Sequence, residues 1–305
     1  MKHSRSRARL GRCAAVMWAV SIASAVAVVA IGGTAASEVS QQDAVAVASS
    51  VAGQLGLQWG EGATAAFKNA DEERWRPARW ELDFRGLTRM AVAADSGCVL
   101  WLLNTTTSDS AAAEPATEPI PKAQAVEIAR KVVAAMGPAD NLVLQSAELH
   151  EPTETSREWV VRWSRMWRGI PYHGPGAAVG LEAATGTLVS AGYYVPPPPP
   201  ASAEVAVSEE RAREVALGAL RAAGKDSGFV SPEIAAKLMV VEPNGDFANP
   251  KPVGWKDPTR VARVVTVTQK AKEGFIMGRV EIWVDAADGS VLGGVMSGWS
   301  PGEPA

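Results

Sequence analysis

The feature that most constrains this 305-residue chain is a pattern that occurs three times. Each segment begins with an amphipathic helical stretch and ends with two strand-like runs around a tight turn. The turns end in Gly97, Gly186 and Gly289, which stand 89 and 103 residues apart. A glycine supplies the positive φ that a hairpin turn requires, and so long a period indicates repeated small domains rather than a solenoid of short repeats. We therefore expect an α+β fold of two or three tandem modules, each a helix packed on a small antiparallel sheet.

Two segments of linker composition divide the chain. Residues 105–119 are rich in Thr, Ser, Ala and Pro, and residues 196–204 begin with five consecutive prolines. Polyproline favours an extended spacer that cannot pair as a central strand. The predicted modules are 38–104, which is the most degenerate, 120–195, and 205–299, which carries an insertion at about 243–259.

The aromatic run in the middle segment fits two kinds of element. Trp159, Trp163 and Trp167 are four residues apart, which suits one face of a helix as well as one face of a strand. The β-branched neighbours and the stop at residues 169–171 favour a strand. We expect these tryptophans to pack between helix and sheet, because large aromatic side chains stabilise modules that have little interior.

Residues 1–36 have the composition of a secretory signal peptide or a membrane anchor. They hold five basic and no acidic side chains, then an apolar run at 13–31, then small residues. Basic, apolar, small is the order of a signal peptide, and Thr34 and Ala36 would allow cleavage before Ser37. The 19-residue apolar run is also close to the length that spans a bilayer, so an uncleaved anchor stays open. Either reading predicts an extracytoplasmic protein: secreted, periplasmic or anchored at its N-terminus.

The charge of the chain excludes some classes of partner. The whole chain has 30 basic and 33 acidic side chains, and without residues 1–36 the basic count falls to 25. Nucleic acids and anionic membranes require a basic face. We therefore expect no nucleic-acid partner, and membrane contact only through an uncleaved N-terminal segment.

Cys98 is the single cysteine beyond residue 36, which excludes an intrachain disulfide there and favours a buried, apolar thiol.

The sequence offers little for a catalytic or metal site. Beyond residue 36 it has two histidines, His150 and His173, and no His-Glu-x-x-His pair. A zinc site needs three or four correctly spaced ligands. The glycine-rich nucleotide-binding spacings are also absent. We therefore expect no catalytic residue, no metal and no cofactor.

The middle module, 120–195, carries an ordered set of motifs. Its helix reads Ala-x-x-Ile-Ala, and Trp-Val-Val-Arg-Trp, Gly-Ile-Pro-Tyr and Ala-Thr-Gly-x-Leu follow. In this order the motifs resemble PepSY-like domains, in particular the YcdB/YcdC-type repeat of extracytoplasmic bacterial proteins. Module 205–299 keeps the helix and the hairpin Trp-Val-Asp-Ala-Ala-Asp-Gly, whereas module 38–104 keeps only a weak helix and the hairpin.

The resemblance implies a helix packed on an antiparallel sheet, an extracytoplasmic location, and a role in binding or restraining peptidases. It brings no shared catalytic residues to this chain. The sequence shows no attached protease domain, which argues against a propeptide acting in cis.

A candidate peptide-binding groove follows the aromatic run. Aromatic and arginine side chains are enriched at interfaces, and these types cluster where the run ends. The edge strands of each sheet offer a second route, since an extended partner can be added as a further strand. The residues expected to line the groove are Trp167, Arg165, Arg168, Tyr172 and His173.

From the sequence we expect an exported, non-enzymatic binding protein that modulates a secreted or envelope peptidase, with a peptidase or an extended peptide as its partner. Two alternatives stay open. One is a structural envelope protein that scaffolds without affecting peptidases. The other is an enzyme of unfamiliar type, which would be indicated if the fold gathered His150, His173 and nearby acids into one deep cavity.

Overall fold

A computed structural model describes most of the chain beyond the N-terminal segment. Everything described lies within one compact unit, Ser37–Ala305. The signal peptide or anchor predicted at 1–36, most of the 105–119 linker and part of the 243–259 insertion lie outside the described residues. The described residues are 38–59, 62–70, 77–106, 118–153, 156–174, 176–195, 198–226, 229, 231–248, 259–270 and 276–297.

The described residues form three helices and two antiparallel sheets, so the predicted α+β class is confirmed. The elements of the first module are α1 (Gln41–Gln54), β1 (Thr64–Lys68), β2 (Arg79–Phe84), β3 (Thr88–Ala93) and β4 (Val99–Asn104). The second module has α2 (Lys122–Met136), β5 (Leu142–Thr153), β6 (Ser156–Trp167), β7 (Ile170–Pro171), β8 (Ala177–Glu182) and β9 (Leu188–Tyr193). The third has α3 (Glu209–Ala222), β10 (Glu233–Val241), β11 (Arg260–Lys270), β12 (Ile276–Asp285) and β13 (Val291–Ser297).

Local capping residues set where the helices begin. The Ser40 side chain accepts a hydrogen bond from Asp43 N at 3.2 Å, and Ser208 accepts from Arg211 N at 3.1 Å. Each serine thereby satisfies one backbone donor that the first helical turn leaves free. Pro121 stands at the N-cap of α2, where its missing N–H costs nothing. Gly137 ends that helix.

The first two modules share one sheet, which the sequence did not indicate. Its strand order is β1-β2-β3-β4-β9-β8-β6-β5, with β7 paired to the end of β6. The two modules join where β4 pairs with β9, and Leu102 lies opposite Ala191. This pairing satisfies two strand edges that would otherwise expose unpaired backbone groups. The third module forms its own sheet in the order β10-β11-β12-β13.

One backbone contact recurs in all three modules. The residue directly before each helix N-cap donates its N–H to the carbonyl that lies three residues before the turn glycine. These bonds are Val39 N to Ala94 O at 2.7 Å, Ile120 N to Ala183 O at 2.8 Å and Val207 N to Ala286 O at 2.9 Å. The repeated sequence pattern therefore corresponds to a repeated tertiary contact between helix start and hairpin.

A side chain then binds the carbonyl of the same residue. Trp80 Nε1 donates to Val39 O at 2.8 Å, and Trp159 Nε1 donates to Ile120 O at 3.1 Å. In the third module the donor is Arg263 Nε, which lies 3.1 Å from Val207 O. These bonds pin the entry of each helix to the sheet beneath it, because a half-buried indole or guanidinium N–H needs an acceptor.

The apolar core of the larger sheet lies under α1 and α2. Leu82, Met90 and Leu102 face the helices and are almost completely buried. Their neighbours along each strand point to the opposite face, as the period of two in a strand requires. A separate core forms under α3, where Leu220 meets Ile282.

Candidate functional site

The five residues expected to line a groove lie in and after the β6–β7 hairpin. Arg168 and Gly169 form its turn with positive φ angles of 49° and 81°. Trp167 is half-buried and Arg168 is exposed, and the Arg168 guanidinium lies 4.9 Å from the centre of the Trp167 indole ring. These two side chains are the members of the set at the tip of the hairpin.

Arg165 and Tyr172 make internal contacts. Arg165 Nη2 donates to Tyr193 Oη at 3.0 Å and to Tyr194 O at 3.4 Å. Tyr172 is 7% exposed, and burial raises the pKa of its phenol. The five residues are neighbours along one hairpin, but the side chains of Arg165 and Tyr172 point into the protein. The groove itself stays a prediction.

His173 connects the two sheets. Its backbone N–H donates to Val240 O, at the end of β10, at 2.7 Å, and Tyr172 forms a parallel bridge with Val240. Its Nε2 lies 2.6 Å from Glu281 Oε2 on β12. The imidazole also stands 4.9 Å from the centre of the Trp283 ring. His173 therefore joins residues that are more than 60 positions away in sequence.

Two carboxylates near His173 have opposite electrostatic environments. Burial raises the pKa of Glu242 to about 7, and the nearby charge of His173 opposes the shift. The hydrogen bond from His173 lowers the pKa of Glu281, with a further contribution from Arg279. Close to neutral pH, Glu281 is therefore ionised while Glu242 is partly protonated.

The second histidine lies far from the first. His150 pairs across the sheet with Glu158, near the start of β6, while Pro171 pairs with Met166 near its end. At ~3.3 Å per residue these positions on β6 are about 26 Å apart. The described residues therefore do not gather the two imidazoles into one cavity, which was the arrangement that would have indicated an enzyme.

His150 has its own acidic neighbours. His150 Nε2 lies 3.4 Å from Glu148 Oε2 on the exposed edge of the sheet. Burial raises the pKa of Glu158. Its carboxylate lies over Gly180, where a Cβ atom would come within 1.8 Å of Oε1. A side chain at Gly180 would displace Glu158, so this glycine leaves room for the carboxylate.

Metal ligands are not clustered in the described part of the chain. No group of three or more His, Cys, Asp or Glu residues there has a geometry that could hold an ion. One spacing bears on the expectation that the chain has no catalytic residue. Gly-Trp-Ser-Pro-Gly at 298–302 matches the Gly-x-Ser-x-Gly of a nucleophile elbow. Those five residues lie outside the described ranges. Absence of catalysis therefore stays a prediction.

The edges of the two sheets differ in how they are covered. Asn244 binds β13 along its outer edge, with Nδ2 donating to Gly294 O at 2.7 Å and Oδ1 accepting from Gly294 N at 3.0 Å. The end of β10 is covered by His173. In contrast, no described element pairs with the outer side of β5.

The open edge carries apolar side chains. β5 is 12 residues long, and Val143 and Leu144 are 53% and 42% exposed. Its pairing with β6 is irregular around Gln145, where one residue is left without a partner. Leu144 lies opposite the buried Trp163 and so belongs to the helix-facing side of the sheet. A long edge with exposed apolar side chains at one end is a place where a further strand can add.

A hollow of about 330 Å³ lies at the other end of the same sheet. Glu81 and Trp101 line it on the face away from the helices. Its charges are already paired, since Arg89 Nε lies 3.0 Å from Asp83 Oδ2. Because this arginine and this aspartate already neutralise each other, the hollow is a weak candidate for binding a charged ligand.

Three functional candidates were not predicted from the sequence. Two of them are acids near His173, where the two sheets meet, and the third covers the edge of β13. Glu242, Glu281 and Asn244 were not singled out. A weak signal existed for Glu281, which is a lone acid inside the apolar run of β12. Nothing local marks Glu242 or Asn244, because Gly294 is 50 positions from Asn244 and His173 lies in another module than Glu242.

None of the helices in the described residues is long and apolar enough to cross a membrane.

Comparison with known proteins gave few matches. No protein-family model matches the chain, and no curated protein matches it significantly. The chain is similar to a solved structure described as the Bacillus megaterium YpeB C-terminal domain, with 14% identity and a TM-score of 0.40, over 85% of this chain and 98% of that one.

A second similar structure is an uncharacterized protein from Eubacterium rectale. It is 9% identical, with a TM-score of 0.45, over 83% of this chain and 82% of the other. At TM-scores below 0.5, neither likeness carries an argument about fold or function. The PepSY-like resemblance of the motifs therefore stays a prediction.

Proposed function

We propose that the chain is an exported, non-enzymatic binding protein that holds an extended segment of a secreted or envelope peptidase as an added strand along β5. The observation that carries the proposal is the open edge of β5. It is the longest open edge in the described residues and begins with the apolar run Leu142–Leu144. The other open edges, β1 and the start of β10, are shorter, while β13 is covered by Asn244 and the end of β10 by His173.

Strand addition would satisfy the edge and bury its side chains. An added strand forms main-chain hydrogen bonds with β5, which gives affinity, while alternate side chains give selectivity. It would also cover Val143 and Leu144, which are about half exposed. Burying the remaining surface of two such side chains contributes about 2 kcal/mol. The favoured segment has apolar residues at alternate positions, facing Leu144 on the helix side of the sheet.

Two parts of the proposal, export and a peptidase as partner, are supported by the sequence rather than by the fold. The order of basic, apolar and small residues in 1–36 supports export. The motif resemblance to PepSY-like domains supports a peptidase as the source of the bound segment. The predicted Trp167–Arg168 tip lies near the start of β5, since Met166 N donates to Asn141 O at 2.8 Å. It can therefore contact the end of an added strand.

A binding assay with matched variants tests the proposal. The chain from Ser37 onward is presented with 12-residue peptides that tile the prosegments and mature surfaces of peptidases exported by the same cell. Leu144→Lys places a charge on the open edge, and Val295→Lys places one on the covered strand β13, where Val295 is similarly exposed at 41%. We expect about a tenfold loss of peptide affinity for Leu144→Lys, on the order of 1.4 kcal/mol, and little change for Val295→Lys.

The same variants separate binding from scaffolding. A peptidase-modulating protein changes the activity of the parent peptidase, and Leu144→Lys abolishes that change. Retention of the protein in the envelope, with no peptide bound and no peptidase affected, would instead favour the scaffolding alternative. Equal losses in both lysine variants would place the binding site away from β5.

A further inference from the structure

The contact between the two sheets includes both backbone and side-chain bonds. The backbone of Tyr172 and His173 meets Val240 through a parallel bridge and the 2.7 Å hydrogen bond. Thr259, directly before β11, also bonds to the linker, since its Oγ1 donates to Pro198 O at 2.7 Å. Only the His173 side chain, among these, carries a charge that depends on pH.

The bond between His173 and Glu281 needs a proton to be strong. It is an ion pair only when His173 is protonated. A charged hydrogen bond of this kind is roughly twice as strong as a neutral one. The Trp283 ring also favours the protonated form of His173. Its centre lies 4.9 Å from the imidazole, and a cation near an indole is stabilised.

We propose that His173, Glu281 and Glu242 form a proton-dependent lock between the two sheets, closed when His173 and Glu242 are protonated and weakened when both lose their protons. Strand addition on β5 is not needed for it, so the lock stands or falls independently of the proposed function.

The protonation states follow from the surroundings of each group. Burial raises the pKa of Glu242 to about 7. In the acidic range Glu242 is therefore neutral and places no unpaired charge at the junction. Above neutrality it ionises and becomes a buried negative charge that the charge of a protonated His173 would offset. Where His173 carries no proton, Glu281 loses its ion pair, and an ionised Glu242 has no charge from the imidazole to offset its burial.

The lock is weakened rather than broken, because Glu281 keeps a second partner. Arg279 also pairs with Glu281. The titratable and charged groups that face the cluster in the described residues are Glu281 and Arg279 on β12, Glu242 after β10, and Tyr172 beside His173, with Arg165 of β6 acting on Tyr172.

Hydrogen exchange of the full chain measures the lock directly. The His173 amide is the reporter, because its N–H is bonded to Val240 O across the junction. Exchange is compared at about pH 5.5 and about pH 8.5 after correction for the intrinsic effect of pH. The lower value is above the pKa of Glu281, which His173 lowers from 4.5, and below the pKa of about 7 for Glu242. We expect protection to fall about tenfold at the higher pH.

Three variants assign the effect. Glu242→Gln stays neutral, so we expect it to retain several-fold more protection than the wild type at the higher pH. His173→Gln keeps the backbone bond but cannot ionise, and we expect low protection at both values. His150→Gln is the matched control, since His150 pairs with Glu148 at the distant edge. It should keep the full pH dependence.

Two results would overturn the lock. One is protection of the His173 amide that stays within about twofold between the two pH values in the wild type, since a lock of this kind must lose stability across that window. The other is an unchanged pH dependence in Glu242→Gln. If His173→Gln fails to fold, the glutamate variant still decides the question, because it exchanges one neutral group for another.

Discussion

Asn244 replaces a missing strand at the edge of the smaller sheet, because its side-chain amide binds both backbone groups of Gly294. Nδ2 donates to Gly294 O at 2.7 Å, and Oδ1 accepts from Gly294 N at 3.0 Å. Asn244 Oδ1 also accepts from Asp246 N at 3.0 Å, which holds the loop in place. The third module therefore covers one edge with a loop instead of a strand.

Asn244→Ala should destabilise the third module and expose its edge. It removes two hydrogen bonds across the edge, each worth about 0.5–1.5 kcal/mol, so we expect a loss of about 1–3 kcal/mol. Thermal unfolding measures the loss, and light scattering measures self-association through β13. Ser297→Ala, on an exposed position of the same strand, should leave both unchanged. A variant as stable as the wild type would show that water replaces the amide without cost.

Replacing the turn glycines should separate backbone strain from packing. Gly97 and Gly186 have similar φ angles, 70° and 72°. A Cβ at Gly97 would find its nearest atom 3.9 Å away, whereas at Gly186 it would come within 2.7 Å of Ile128 Cδ1. We expect Gly97→Ala to cost about 1 kcal/mol from the left-handed backbone, and Gly186→Ala to cost about 1–2 kcal/mol more because Ile128 must move.

Urea unfolding of the two alanine variants tests this difference. Equal losses at the two sites would mean that Ile128 relaxes freely, and that helix α2 does not pack tightly on the turn. A larger loss at Gly97 would contradict the packing described here, because nothing near that glycine meets the added methyl group.

Glu242 should make the protein less stable as pH rises toward neutrality. Its folded-state pKa of about 7 lies above the ordinary value of 4.5, so the folded state holds a proton that the unfolded state has lost. Stability from this group is full below about pH 4.5, declines between about 4.5 and 7, and is lost above that. The full difference corresponds to ~3 kcal/mol, which partial solvent exposure reduces to about 1–2 kcal/mol.

Glu242→Gln should remove this decline. Urea unfolding at about pH 5 and about pH 8 measures it, with a variant of exposed Glu127 as the control. The opposite contribution of Glu281, whose lowered pKa makes stability fall in acid, should remain. A variant that keeps the whole decline between pH 5 and 8 would assign it to other groups.

Cys98 should react slowly with thiol reagents in the folded protein. Burial raises the pKa of its thiol, although a hydrogen bond with Ser96 partly opposes the shift. The thiolate is the reactive form, so we expect alkylation near pH 8 at least about tenfold slower than in urea-unfolded protein. Mass spectrometry of iodoacetamide-treated samples measures the rate. Fast labelling of the folded chain would indicate that the β3–β4 turn opens.

The sequence was sufficient for the local elements. Trp159, Trp163 and Trp167 lie on strand β6, as their β-branched neighbours predicted, although their spacing also suited a helix. The turns at Gly97, Gly186 and Gly289 have the positive φ angles expected of hairpins. These features depend on near neighbours in the chain, and side-chain periodicity and turn chemistry record such neighbours.

The sequence was insufficient for contacts between modules. Nothing in β4 or β9 announces that these two strands pair, because each has the alternation that any half-buried strand shows. The pair His173 and Glu281 is 108 residues apart, and its formation depends on how the third module docks on the second. Placement of the five groove residues was a local prediction, but the burial of Tyr172 came from the same docking.

The pairing of β4 with β9 has a consequence for the weakest of the three segments. Because the neighbouring module presents an edge that templates β4 at Leu102 and Ala191, the first segment does not have to specify its whole register alone. A strand that is guided from outside tolerates more sequence drift than one that must find its place by itself. Residues 38–104, where the sequence pattern is weakest, therefore take part of the register of their last strand from the strand beside it.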